Sequence, residues 1–130
     1  MPLPIAHSLV GASLVAAVVP RRPRYWLLLA AGAALANAAD LDFILVFLFR
    51  SRAWHRGFTH SLVFSLAVFL CLLLALGRAR AREAAGYGLA YASHALLDFA
   101  TTEVRISRGV ELFWPFSEDR FGLRWWGPRG

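Results

Sequence analysis

Four long apolar runs divide the chain: Pro4 to Val19, Tyr25 to Phe49, Ser61 to Leu76 and Ala84 to about Ala100. Each has the length of a helix rather than a strand. Each is also apolar all round, without the polar face that a soluble bundle helix turns to water. Arginine-rich breaks separate them: Pro20-Arg-Arg-Pro-Arg24, Arg50-Ser-Arg52 and Gly77-Arg-Ala-Arg-Ala-Arg82. A helix that spans the hydrocarbon core takes about 20 residues, with a working range of about 17 to 25, and two of the runs fall just short of it. The expectation is an all-α polytopic membrane protein with four transmembrane helices, a single domain over residues 1–130. Residues 101–130 differ in kind. They form an irregular charged tail rich in aromatics (Phe113, Trp114, Phe116, Trp125, Trp126), and such residues favour a membrane interface.

Composition agrees with lipid as the solvent. Hydrophobic residues make up 58% of the chain and charged residues 17%, against about 25% charged in an average soluble domain, too little polar material to cover a water-facing surface. All the basic residues are arginine, and they sit in short clusters between apolar runs. The net charge of +6 therefore does not read as a nucleic-acid binder, which would spread cations and stacking aromatics along one face. The single cysteine, Cys71, lies inside an apolar run and can form no internal disulfide. The first cations, Arg21 and Arg22, follow the first apolar run, the reverse of a cleavable signal peptide, so that run is expected to be retained. Loops one and three (Arg21, Arg22, Arg24; Arg78, Arg80, Arg82) share a side and outnumber loop two (Arg50, Arg52, Arg56). Loops one and three are thus predicted to be cytoplasmic, with the N-terminus, loop two and tail facing outward.

Ionisable residues fall unevenly on this topology. His7 opens the first run, and Asp40 and Asp42 lie in the outer half of the second. His55 and His60 flank loop two, while His94 and Asp98 lie toward the outer end of the fourth run. All seven gather at the face away from the arginine loops, which hydropathy does not require. A charge inside a span costs on the order of a few kcal/mol, so its default reading is functional. His94 and Asp98 are i and i+4, so one helix face brings both to a common ion, although a hydrogen-bonded core pair has the same spacing. Asp40 and Asp42 point to different sides of a regular helix, which predicts that the helix breaks or ends there. Two carboxylates so close together in apolar surroundings call for a shared cation. In His55-Arg-Gly-Phe-Thr-His60 the glycine lets the backbone turn so that both imidazoles face one point. Arg56 then lies beside the metal with a planar fork suited to a phosphate oxygen; a headgroup or positive-inside arginine is the plainer alternative.

Two short patterns recur. His7-Ser-Leu-Val10 returns as His60-Ser-Leu-Val63, and Leu41-Asp-Phe43 returns as Leu97-Asp-Phe99, with His-to-Asp separations of 35 and 38 residues. The order suggests two copies of one helical hairpin, related by an axis along the membrane normal, each bringing a histidine and an aspartate to the same face.

His7-Ser, Asp40-Leu-Asp42, His55-Arg-Gly-x-Thr-His60-Ser and Ser93-His-x-x-x-Asp98, ending in Phe113-Trp-Pro-Phe-Ser117, resemble the YdjM-type inner-membrane metal-dependent hydrolase family. The resemblance covers nearly the whole chain. It implies a multi-pass protein of the inner membrane with a hydrolase activity. The His-x-x-x-Asp element is also similar, more loosely, to one in zinc-dependent phospholipases C. The family commonly has proline before the aspartate pair; Ala39 stands there in this chain, which leaves open which aspartate ligates.

The expected centre holds one to three divalent ions, zinc foremost because imidazole and carboxylate are mixed, on His7, Asp40, Asp42, His55, His60, His94 and Asp98. The ion would supply hydroxide near neutral pH, Asp40 or Asp42 would take the proton, and Arg56 would hold a phosphate. Trp114 and Phe116 would flank the mouth and meet a membrane lipid or lipid-linked phosphate, with interfacial anchoring as the alternative. Glu118 and Asp119 are read as solvated tail charge, or as groups behind the ligands. Two rival classes are a metal transporter and a structural membrane protein whose polar cluster joins helices. A transport pathway needs polar groups at both faces, yet the arginine-loop half of each run is nearly bare apart from Asn37 near mid-depth.

Overall fold

The structure, a computed structural model, describes residues 4–102 and 109–123. Trp125 and Trp126, expected at the interface, lie outside the described residues. The described chain is helical: α1 (Pro4–Val18), α2 (Tyr25–Ala38), α3 (Phe43–Phe49), α4 (Leu62–Leu76) and α5 (Ala81–Thr101). Single 3₁₀ turns at Ala39–Asp42, Arg52–Trp54, Phe58–His60 and Arg78–Arg80 join them. The boundaries follow local chemistry. Pro20 and Pro23 lack the N–H that would carry α1 onward. Ser61 caps α4, its Oγ accepting from Phe64 N at 3.0 Å. Gly77, with φ of 76°, supplies the left-handed turn that ends α4.

The break expected at the aspartate pair takes another form. The helix tightens to 3₁₀ winding over Ala39–Asp42 and then resumes, so that Tyr25–Phe49 is one rod of 25 residues. With no proline at position 39, the donors on both sides of the turn remain available to continue the helix.

Among the described residues this rod is the one helix long and apolar enough to cross a membrane by itself. The segment Arg52–His60 and α4 meet at 56°, and together they make a second candidate as a broken span. The four expected helices are present, but four equal spans are not. α1 has 15 residues, about 22 Å of helix against a hydrocarbon core of about 30 Å. α5 has 21 residues but carries Glu83, His94 and Asp98 buried along its length.

α5 is polar for a reason visible in the packing: it touches α1, α2 and α4 at once. Its buried side is built from small residues such as Ala84, Gly86, Gly88, Ala90 and Ala95, which let three helices approach one axis. α1 and α2 cross just as closely. A Cβ on Gly11 would lie 2.5 Å from Gly32 O and from Ala36 Cβ.

The distribution of side chains is inside-out relative to a water-soluble bundle. Arg56, His60, His94, Asp42 and Asp98 are buried, whereas Phe47, Leu48, Leu66, Leu70 and Leu74 lie outside. α3 has no buried residue at all. Contiguous apolar surface of this kind is rare where water is the solvent.

The described part of the tail is not a free anchor. Val110 and Phe121 pair as an antiparallel bridge, Leu112 O accepts from Leu62 N at 3.0 Å, and Phe99 O accepts from Leu123 N at 2.8 Å. Val110 and Leu112 bury themselves against Ala95, which docks the tail over the same end of the bundle as loop two.

Candidate metal centre

All seven ionisable residues singled out in the sequence meet at one end of the bundle. His7 comes from the first turn of α1, Asp40 and Asp42 from the 3₁₀ turn, His55 and His60 from loop two, and His94 and Asp98 from α5. His7 Nε2 lies 3.6 Å from Asp98 Oδ1, although 91 residues separate them in the chain. The His7 and His94 rings stack with centroids 4.0 Å apart.

At the centre stand four atoms: Asp40 Oδ1, His60 Nε2, His94 Nε2 and Asp98 Oδ2. His94 Nε2 is 3.2 Å from Asp40 Oδ1 and 4.0 Å from Asp98 Oδ2. His60 Nε2 is 3.7 Å from Asp40 Oδ1 and 3.8 Å from Asp98 Oδ2. Ligands on a tetrahedral ion with bonds of about 2.1 Å are about 3.4 Å apart, so these four separations depart from that spacing by only a few tenths of an ångström, and Asp40, His60 and His94 form a triad whose ligand atoms lie within 4.8 Å of one another. The imidazoles are turned for this. His94 Nδ1 lies 2.5 Å from Ala36 O, and since a carbonyl only accepts, Nδ1 is the donor there, which leaves Nε2 as the nitrogen facing Asp40 Oδ1 at 3.2 Å. His60 Nδ1 faces Thr59 Oγ1 at 3.1 Å and Asp42 Oδ2 at 3.3 Å, while its Nε2 is buried without a hydrogen-bond partner among the described residues. Two neighbouring triads, His7 with His94 and Asp98, and Asp40 with Asp42 and His55, have ligand atoms within 4.8 Å of one another. The donor set thus fits a divalent ion at the quartet and extends to either side of it.

Asp42 does a different job. Its Oδ1 accepts from His55 Nδ1 at 2.9 Å, and its Oδ2 accepts from Arg56 N at 2.8 Å and Thr59 Oγ1 at 3.0 Å. One buried carboxylate therefore holds the whole of loop two against the 3₁₀ turn. Arg56 adopts φ of 58°, a left-handed conformation that costs a residue with a Cβ roughly 1 kcal/mol or more. That turn sends its side chain inward, where Nε pairs with Asp98 Oδ2 at 2.9 Å. Three carboxylates against one guanidinium leave two negative charges when the histidines are neutral, the complement of one divalent cation.

The profile of the YdjM inner membrane protein family matches residues 1–128. The chain belongs to that family. It is 38% identical over 137 aligned positions to the inner membrane protein YbcI of Escherichia coli (strain K12), an alignment that takes in 96% of this chain and 74% of the relative. No solved structure matches it. As a YdjM-family member the chain is an inner-membrane protein, in keeping with its apolar exterior.

The structure distinguishes the alternatives left open for several residues of this YdjM-family chain. Arg56, 1% exposed, lies inside the cluster beside the candidate ligands and does not reach a lipid headgroup. Trp114 packs against Phe58, their centroids 5.7 Å apart, beside Trp54 and Phe64. Phe116 is 86% exposed at the surface of the docked tail. Glu118 and Asp119 are both exposed, and Asp119 accepts from Ser117 Oγ at 3.0 Å. The two stretches with recurring motifs differ in detail. His7 lies within α1 whereas His60 precedes the cap of α4, and Asp42 anchors a loop whereas Asp98 joins the quartet.

Four contributors escaped the sequence reading. Thr59, bonded to both Asp42 and His60, was visible inside the histidine motif. The Ala36 carbonyl carries no side-chain signal. Glu111 and Arg120 pair at 2.7 Å, and Arg120 also donates to Ala53 O at 2.7 Å and His55 O at 3.1 Å. They strap the tail over loop two from positions that no spacing rule connects to it.

Proposed function

We propose that this YdjM-family protein is a membrane-bound metal-dependent hydrolase of phosphoesters in lipid or lipid-linked substrates, with zinc the favoured ion. The quartet of Asp40, His60, His94 and Asp98, with its ligand atoms turned inward, carries the reading. Mixed imidazole and carboxylate ligands suit zinc. When bound, the ion would acidify a coordinated water and polarise a phosphoryl oxygen.

The protein's own groups then have separate tasks. His94 and Asp98 fix the ion from α5, and His60 fixes it from loop two. His7 closes the side behind His94. Asp42 is committed to loop two, so Asp40, with 35% of its side chain exposed, is the carboxylate through which a proton leaves to water. Arg56 sets a fixed positive charge where negative charge grows on phosphorus. An apolar cleft of about 360 Å³ between α4 and α5 starts at Leu62, two residues from His60, and runs past Leu66 and Phe69. It supports an acyl or prenyl chain lying beside the cluster. Trp114 and Phe116 then serve as contacts at the membrane interface.

In this reading the four apolar segments all sit in the bilayer, the cluster opens at the extracytoplasmic face, and the arginine loops are cytoplasmic. A transport pathway is disfavoured because the opposite end is ringed by arginines, which repel cations. The test is metal analysis of detergent-purified protein. Wild type is expected to hold at least one divalent ion per chain, and His60→Ala and Asp98→Ala to lose it. Phosphatase and phospholipase panels on the metal-loaded protein then examine the chemistry. Metal retained with no hydrolysis in either panel refutes the enzymatic reading.

A further inference from the structure

The end of the bundle away from the histidines holds a second assembly of charge. Arg21 and Arg22, between α1 and α2, meet Arg80 and Arg82, at the start of α5, around a cavity of about 230 Å³. Glu83, 3% exposed, organises it. Its Oε1 meets Arg22 Nη2 at 2.5 Å and accepts from Arg80 Nε at 3.0 Å, and its Oε2 accepts from Arg80 Nη2 at 2.6 Å. Arg21 and Arg82 line the same cavity and have no hydrogen bond or ion pair among the described residues.

Four arginines against one carboxylate leave three positive charges around a space that would hold several waters at about 30 Å³ each. A tetrahedral oxyanion with part of its hydration shell fits that volume and that charge, and guanidinium forks match its paired oxygens. The preference for arginine in cytoplasmic loops accounts for cations near the membrane. It does not account for a buried carboxylate that clamps arginines of two different loops into one lining.

We propose that this cavity binds a phosphate group at the membrane face opposite the metal cluster, either in the headgroup of an anionic phospholipid or as free phosphate. The site is independent of the hydrolase reading, since it shares no residue with the cluster.

The experiment uses the full chain in detergent. Three probes are titrated separately: dioleoylphosphatidylglycerol, inorganic phosphate, and dioleoylphosphatidylcholine as the uncharged control. Arg21→Gln with Arg82→Gln removes two lining charges. Arg24→Gln with Arg78→Gln removes two charges from the same loops outside the cavity. Wild type is expected to bind phosphatidylglycerol or phosphate at least about tenfold more tightly than phosphatidylcholine, and the lining variant to lose about tenfold or more. The Arg24/Arg78 variant stays within about threefold of wild type. Arg82→Gln alone, at an exposed position, serves if the double variant is poorly folded. Preference for phosphatidylglycerol assigns the lipid source, and preference for inorganic phosphate the soluble one. Equal weakening in both double variants means diffuse charge attraction and overturns the proposal, as does binding that survives removal of the lining arginines.

Discussion

Asp42→Asn removes one charge from the cluster while keeping the size of the side chain. Oδ2 of the aspartate accepts from the backbone N–H of Arg56, a donor that cannot reverse, so the asparagine must keep its oxygen there. Its amide nitrogen then faces His55 Nδ1, 2.9 Å away in the wild type. His55 has to change tautomer to accept from it, and the proton moves to Nε2, the nitrogen left for an ion. The variant loses a hydrogen bond to a charged group, worth about 1.5 to 3 kcal/mol, and misorients one imidazole. Groups that orient metal ligands typically contribute about 10- to 100-fold in affinity, and a loss in that range is expected with full stoichiometry at saturating metal. Competition against a chelator of known affinity, followed by metal analysis at saturation, reads both numbers. Asp98→Asn, measured in parallel, loses stoichiometry because the ligand itself is changed. If Asp42→Asn loses stoichiometry equally, Asp42 is a ligand; if it binds metal as wild type does, the anchoring role is refuted.

Gly11→Ala puts a Cβ 2.5 Å from Gly32 O and Ala36 Cβ. Forcing α1 from α2 costs roughly 1 to 3 kcal/mol, seen as a lower unfolding temperature in detergent, and weaker metal binding should accompany it because Ala36 O holds His94. An unfolding temperature equal to wild type would contradict the close crossing. Arg56→Gln is expected to retain metal, having removed a competing positive charge from Asp98, while hydrolysis falls about 10²- to 10³-fold. Metal loss with activity in proportion would instead assign Arg56 to structure alone. Arg120→Ala breaks the bonds to Ala53 O, His55 O and Glu111, so amide exchange over residues 53–57 should accelerate; unchanged exchange would show that the strap is not needed to order loop two.

The helices were legible because apolar runs and arginine breaks are themselves the physical determinants of where a chain enters and leaves lipid. The clustered residues were legible for the converse reason: an imidazole or carboxylate in such a run is too costly to be incidental. What stayed hidden depends on three-dimensional direction. Asp40 and Asp42 look alike in sequence, yet 3₁₀ winding turns one toward His94 and the other toward the backbone of Arg56. The inward course of Arg56 rests on a left-handed backbone that its residue type does not announce. Composition also overstated the similarity of the four helices, since α5 meets protein on three sides and can afford polar groups that α4, packed chiefly on α5, cannot. The tail reads as loose because its order comes from single backbone contacts, such as Leu62 N to Leu112 O, and not from any periodic pattern.

The position of α5 has a consequence for biogenesis. Among the described helices it is the last to be synthesised, and it supplies both His94 and Asp98 as well as the surface on which α1, α2 and α4 converge. A nascent chain ending at loop three holds only half of the quartet and no common axis. If the cluster binds an ion as proposed, the earlier helices hold an incomplete site until α5 is made, and loading of the ion follows the synthesis of α5.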